Sequence, residues 1–230
     1  MLFHHHHVKN DHEQLFDRHI VTLKKRGCPL AIIDALRDSK KYILAHVSSI
    51  EIAEGNIACM PVITPPYLGY HGLLSLVRHG SESGVIRCDV VQIVDVEKTP
   101  LRLYYMFDVE DGSQLLDRTM ENANIRICQK NRLPSTMPEI ASICILTDVL
   151  SRHSVCATGS RYASDRTPII LLSTVGTETD WENAKRELSE CSDGHSLKPQ
   201  EGTPGLGWRY SSSPSRGGAS SCSSRLEIPC

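Results

Sequence analysis

Between Met137 and Ser173 the chain reads MPEIASICILTDVLSRHSVCATGSRYASDRTPIILLS, and no other run restricts the fold as much. Ser135 or Thr136 can cap a helix, and Pro138 takes a first-turn position where its missing N–H costs nothing. Glu139 sits at the positive end of the helix dipole. Over residues 138–151, Ile143, Leu146 and Leu150 make the core stripe, with Cys144 beside it as a small buried hydrophobe. Ser154 to Thr158 returns as a strand, and Thr167 to Leu172 pairs with it across a polar turn at 159–166. Ile169 to Leu172 shows no polar alternation, so this strand belongs in the middle of a sheet, buried on both faces.

The rest of the chain supplies further helices and strands. Asn10 or Asp11 caps a helix through Lys25 whose stripe is Leu15, Phe16, His19, Ile20 and Leu23; Gly27 and Pro29 end it. On that stripe His19 reads as a packed edge residue. Ala31 to Lys41 is a second short helix. Residues 56–64 form a strand that Pro61 confines to an edge or a bulge. A helix over Tyr67 to Val77 is weakened by Gly69 and Gly72, and 84–96 reads as extended. From 101 to 109, Leu101, Leu103, Tyr105, Phe107 and Val109 alternate with Arg102, Tyr104, Met106 and Asp108, the pattern of a half-buried strand. Glu110-Asp111-Gly112 then turns the chain into a helix capped near Ser113 and ending around Lys130. These elements predict a single α+β domain over 11–230. Its mixed or mainly antiparallel sheet is built from strands near 56–64, 85–95, 101–109, 154–158 and 167–173. About three helices (11–26, 113–130, 138–151) cover one face.

Composition sets the outer limits. The 230 residues carry a net charge of −2, which offers no global attraction to nucleic acid or to an anionic membrane surface. No run of about 18 apolar residues predicts a membrane span. The nine cysteines have no C-x-x-C pair among them and follow an N-terminus without the pattern of a secretory signal. That favours reduced thiols in a cytoplasmic protein and argues against a zinc ribbon or a redox motif. His4 to His7 fall within a disordered tail over residues 1–10, without the fixed geometry of a metal site. The polar run 174–206 reads as an insertion. By composition alone the Ser- and Gly-rich stretch from Gly207 onward reads as disordered.

Chemistry-bearing residues are sparse. Arg161, Asp165 and Arg166 share one turn, where paired guanidinium forks could grip a phosphate or carboxylate; the plainer reading is a braced hairpin. Trp208 and Arg209 complete the ligand-binding candidates. Trp208 and Tyr210, interleaved with Arg209, Arg216 and Arg225, also admit base stacking beside phosphate contacts, against which the overall negative charge counts. Cys222 is the one nucleophile candidate, with His71, His79, His153 and His195 as bases in sequence but none fixed near it. Asp108, Glu110 and Asp111 cluster as cation ligands might, yet lack further spaced oxygens. Gly159-Ser160 is no nucleophile elbow, and Gly202 to Gly207 is no phosphate loop. No motif asks for a cofactor or a metal.

Four pieces, FDRHIVTLKKRGCP, FDVEDG, GSRYASDRTPIILLS and LGWRYSSSPSRGGASSC, resemble an uncharacterised bacterial family, a domain of unknown function. In that pattern a G-S-R turn leads into an apolar strand, then L-G-W, and a closing small-residue run with cysteine. Leu206-Gly207-Trp208, Pro214 and Cys222 match. The long insert before Leu206, serine and glycine where the family has bulkier or aromatic residues, and a one-residue shortfall before Cys222 depart from it. The resemblance implies no activity. It does imply that Gly207 to Cys222 belongs to the ordered domain, against the compositional reading.

The expected function is therefore a non-catalytic ligand- or protein-binding domain. It would present the 159–166 turn and the tail to a small anionic ligand or a protein partner. The alternative is a small cysteine-dependent hydrolase or transferase using Cys222 beside an arginine-lined anion site.

Overall fold

A computed structural model of the chain describes residues 2–79, 82–83, 89–116, 118–163, 166–173, 205–211 and 217–228. Asp165, Pro214 and the body of the expected insertion (174–204) lie outside the described residues. The architecture is α+β, as the sequence predicts, with six α-helices among the described residues rather than about three.

The helices open the chain. α1 (Leu2–Arg26) is followed by α2 (Leu30–Asp38) and α3 (Lys40–Val47). α1 begins at Leu2, so its backbone runs helical through the stretch expected to be a disordered tail. No Gly or Pro interrupts residues 2–26, and extending an existing helix gains a hydrogen bond for each residue fixed. Its predicted stripe is the buried one: Phe16, His19, Ile20 and Leu23 all lie in the core. Among the described residues no helix is long and apolar enough to cross a membrane.

Next come β1 (Ile57–Val62), α4 (Pro65–Ser75), β2 (Arg78–His79), β3 (Glu82–Ser83), β4 (Ile93–Asp95) and β5 (Tyr104–Val109). α4 kinks at Gly69, whose φ of 63° is the left-handed conformation that glycine tolerates. The expected helix at 113–130 is broken. A 3₁₀ turn at Ser113–Leu115 precedes α5 (Met120–Gln129), which Thr119 caps by accepting from the Asn122 amide. β6 (Leu133–Pro134) leads into α6 (Met137–Leu146), and β7 (Ser154–Cys156), β8 (Ser160–Tyr162) and β9 (Thr167–Ser173) follow. The tail adds β10 (Gly205–Ser211), β11 (Gly217–Ala219), β12 (Ser221–Cys222) and β13 (Ser224–Glu227).

The strands do not share one sheet. β1-β5-β13 form a three-stranded antiparallel sheet, and β10-β9-β7-β11 a four-stranded one in which only β11 runs parallel to its neighbour. Short ladders pair β12 with β6, β4 with β8 and β2 with β3. Pro61 indeed stands on an edge strand, and β9 is central as predicted, with Val155 and Cys156 of β7 opposite Ile170 and Ile169.

α6 packs against β1 on one side and β7 and β9 on the other. This position explains its sequence. A helix that is apolar all round is a buried one, and every residue from Met137 to Ile145 is buried. The single core stripe expected for it is therefore replaced by burial on all sides. It also ends earlier than predicted. Thr147 leaves the helical conformation, donates its hydroxyl to the Ile143 carbonyl and accepts from the Val149 amide. Such local side-chain bonds compete with helix continuation.

β5 corrects the half-buried reading. All six of its residues are buried. Tyr105 stacks on Phe16 and Phe107 meets His46 edge-on, so this face packs on α1 and α3. On the opposite face Tyr104 donates its hydroxyl to Glu139 and Asp108 receives Arg132. The polar groups on that face are satisfied internally, which lets it leave water.

Candidate functional site

Asp108 has a φ of 50°, a left-handed backbone that a non-glycine residue adopts at a cost of roughly 1–2 kcal/mol. Four contacts hold it there. The Ala53 amide and the Asn56 side chain donate to Oδ1 at 3.0 and 2.8 Å. Arg132 Nη1 donates to Oδ2 at 2.5 Å, while its Nη2 donates to the Asp108 carbonyl oxygen. Burial pushes the Asp108 carboxyl up, but these donors together carry it below its usual value.

Arg132 follows Asn131, itself at a φ of 52°. Its guanidinium reaches from the end of α5 to the tail, where Nε donates to Ser221 Oγ at 2.9 Å. An isolated antiparallel bridge between Glu110 and Ser221 then joins the end of β5 to the tail. Glu110 Oε1 accepts from the Gly112 and Gln114 amides, both at 3.0 Å. Burial is the main cause that raises its carboxyl above the ordinary value. Asp111 holds the Ser113 amide and pairs with Arg152 at 2.9 Å. The three acidic residues thus turn to three different partners, rather than to a shared cation.

Above this floor lies a cavity of about 260 Å³ lined by Ala53, Asn56, Glu110, Gln114, Arg126, Lys130, Arg132 and Ser221, with Leu115 and Ile127 as its apolar wall. Arg126 of α5 and Lys130, the residue that caps its C-terminus, are both exposed and stand one turn apart on the cavity wall. Lys130 Nζ donates to Gln114 Oε1 at 2.9 Å. Among the described residues Arg126 has no ion-pair or hydrogen-bond partner for its side chain. The rim is cationic, and the floor is a rigid set of amide, hydroxyl and carboxylate groups.

Arg161 and Arg166 lie elsewhere. Arg161 stands on β8 opposite Val94, and its Nη1 donates to the Thr158 and Ser160 carbonyl oxygens at 3.0 and 2.9 Å. Its guanidinium is thereby tied to the carbonyl groups of its own turn. Arg166 is exposed and closes that turn through backbone bonds with Tyr162. Trp208 and Arg209 stand on β10 opposite Ile170 and Ile169.

Cys222 is fully buried on β12, across from Leu133. Burial, reinforced by the charge of Glu139, pushes its thiol up to about 12. A nucleophilic cysteine needs the reverse, an electropositive and accessible setting. The structure therefore corrects the candidacy of Cys222 to that of a core side chain. Arg161, Arg166 and Cys222 do not line the cavity.

Beneath Cys222 lies a second buried polar centre. Arg225 Nε and Nη2 donate to the two oxygens of Glu139 at 2.6 and 2.9 Å, and Nη2 also donates to the Pro134 carbonyl oxygen at 3.0 Å. The Thr136 amide and hydroxyl donate to Glu139 Oε2 and complete a capping box. Thr136-x-x-Glu139 is readable in the sequence as that box. The roles of Arg132 and Arg225 leave no local signal, because each partner is distant in sequence.

No family model, no curated protein and no solved structure matches this chain.

Proposed function

We propose that this protein is a non-catalytic binding domain whose ligand is a small organic anion held in the Arg126–Lys130–Arg132 cavity. The observation that carries the reading is Asp108, kept in a left-handed conformation behind the cavity by Ala53, Asn56 and Arg132, all three of which line it. Backbone held in a sparsely populated region clusters at binding and catalytic sites, where surrounding contacts over-determine it. A carboxylate would meet Arg126 and Lys130 at the rim, and a polar body would meet Asn56 and Gln114. Glu110 on the same wall disfavours a second negative charge on the ligand. The volume is close to the lower end of ligand pockets, ~300 Å³, which points to a ligand of few heavy atoms.

Placement in a bacterial cytosol belongs to the same proposal. It is supported by the free thiols of Cys28, Cys59, Cys128, Cys144 and Cys222 and by the motifs that resemble the bacterial family. Kinship with that family is itself part of the proposal and rests on those motifs. The cysteine-hydrolase alternative finds no support in the buried setting of Cys222.

Calorimetric titration with acetate, lactate, succinate and glutamate tests the reading. At least one should bind with a Kd below ~1 mM. Arg126→Ala with Lys130→Ala should weaken that binding tenfold or more, since each charge-assisted bond contributes about 1.5–3 kcal/mol. Undiminished binding in the double variant, or no binding by any of the four acids, rejects it.

A further inference from the structure

A separate cavity of about 250 Å³ opens where the C-terminal ends of α1 and α6 meet β2. Its lining includes Thr22 and Arg26 of α1, Arg78 of β2, and Thr147, Asp148 and Ser151 after α6. Partial burial, and after it the nearby charge of Arg78, lower the Arg26 guanidinium below its usual value. Arg78 Nε is buried and has no hydrogen-bond partner. Among the described residues neither arginine has an ion pair. The one carboxylate on the wall, Asp148, is exposed and already faces Arg152 at 3.6 Å.

Two like charges on one cavity are unfavourable unless something offsets them. The C-terminal ends of α1 and α6 each supply roughly −0.5 of a charge, which leaves an uncompensated excess of about one positive charge. A phosphate monoester carries about −1.5 to −2 at neutral pH and accepts guanidinium forks in bidentate geometry. The hydroxyls of Thr22 and Ser151 add neutral donors on the same wall.

We infer that Arg26 and Arg78 form a second binding site, for a phosphate dianion or the phosphate of a phosphomonoester, distinct from the cavity at Arg132. The site selects for charge and oxygen geometry. A monoanionic carboxylate would leave one guanidinium unmatched.

The test is thermal unfolding of the full chain in inorganic phosphate or glycerol 2-phosphate, against chloride at equal ionic strength. The chain carries Arg126→Ala and Lys130→Ala throughout, so that the first cavity cannot respond. At about five times its Kd, phosphate should raise Tm by about 2–4 °C. Arg78→Met and Arg26→Met should each abolish that rise. Without phosphate, each should leave Tm unchanged or raise it, because removing one of two like charges relieves repulsion. Equal response to phosphate in the variants overturns the inference. So does a marked fall of Tm in both variants without phosphate together with no phosphate effect in the parent, since the arginines would then only brace the end of α6. Phosphate response in glycerol 2-phosphate but not in inorganic phosphate would assign the site to the monoester; the reverse would assign it to the free anion.

Discussion

Arg225 and Glu139 are 86 residues apart in sequence and form a bidentate ion pair in the core, with side chains 6% and 0% exposed. The pair ties the tail strand β13 to the first turn of α6. Burial alone would push the Arg225 guanidinium down, but its bonds to Glu139 lift it above its usual value.

Removing one partner leaves the other as a lone buried charge, a loss of about 3–5 kcal/mol. Arg225→Ala and Glu139→Ala should each lower the unfolding free energy obtained from urea denaturation by that amount, and the double variant should lose less than the two losses added together. Arg225→Lys should also fail to restore stability. One ammonium cannot reproduce the fork that serves both Glu139 oxygens and the Pro134 carbonyl. Additive single losses would show that the pair is not coupled.

Gly218 and Gly112 meet backbone to backbone. A Cβ on Gly218 would stand 2.0 Å from the Gly112 carbonyl oxygen, and Gly112 itself has a φ of 98°. Gly218→Ala should therefore push β11 away from the turn at 112 and cost at least about 1–3 kcal/mol, the usual penalty for overpacking. Hydrogen exchange should rise at residues 217–219 and at their parallel partners 154–156. Protection equal to that of the parent would mean the contact yields without loss.

His19 is buried on α1, and burial, with a smaller contribution from Arg18, lowers its imidazole to about 4. The ordinary value is near 6.5, so the unfolded chain takes up a proton first as pH falls. Stability from this group is full above about pH 6.5 and declines down to about pH 4, by at most roughly 3 kcal/mol. Chemical denaturation from pH 7 to 4 should show that decline, and His19→Leu should flatten part of it. An identical slope in the variant would remove His19 as the cause.

Cys128 is exposed on α5, whereas Cys222 is buried with its thiol pushed up to about 12. Iodoacetamide at pH 8, read peptide by peptide in a mass spectrometer, should label Cys128 within minutes. Cys222 should be labelled only at the rate of unfolding. Fast labelling of Cys222 in the folded protein would return it to the list of nucleophiles.

Local chemistry made several features legible. The Thr136–Glu139 capping box, the buried stripe of α1, the edge position of Pro61 and the central place of Ile169–Leu172 all follow from spacing along the chain. The candidate sites do not. Arg126 and Lys130 look like ordinary helix-end cations. Asp108 looks like a strand's solvent-facing residue, because only the arrival of Arg132 and Asn56 makes its burial tolerable.

By itself, then, the sequence determined the α+β class, most helix positions and the antiparallel pairing of β7 with β9, though not the strand β8 between them, since caps, breakers and apolar periodicity act over a few residues. Only the tertiary structure decided that the strands split into a three-stranded sheet, a four-stranded sheet and short two-stranded ladders, that a serine-rich tail supplies four strands, and that Cys222 is core. Those outcomes depend on which distant groups meet. A tail poor in apolar residues can be ordered when Arg225, Ser221 and Gly218 each find a fitted partner, and composition carries no record of the partner.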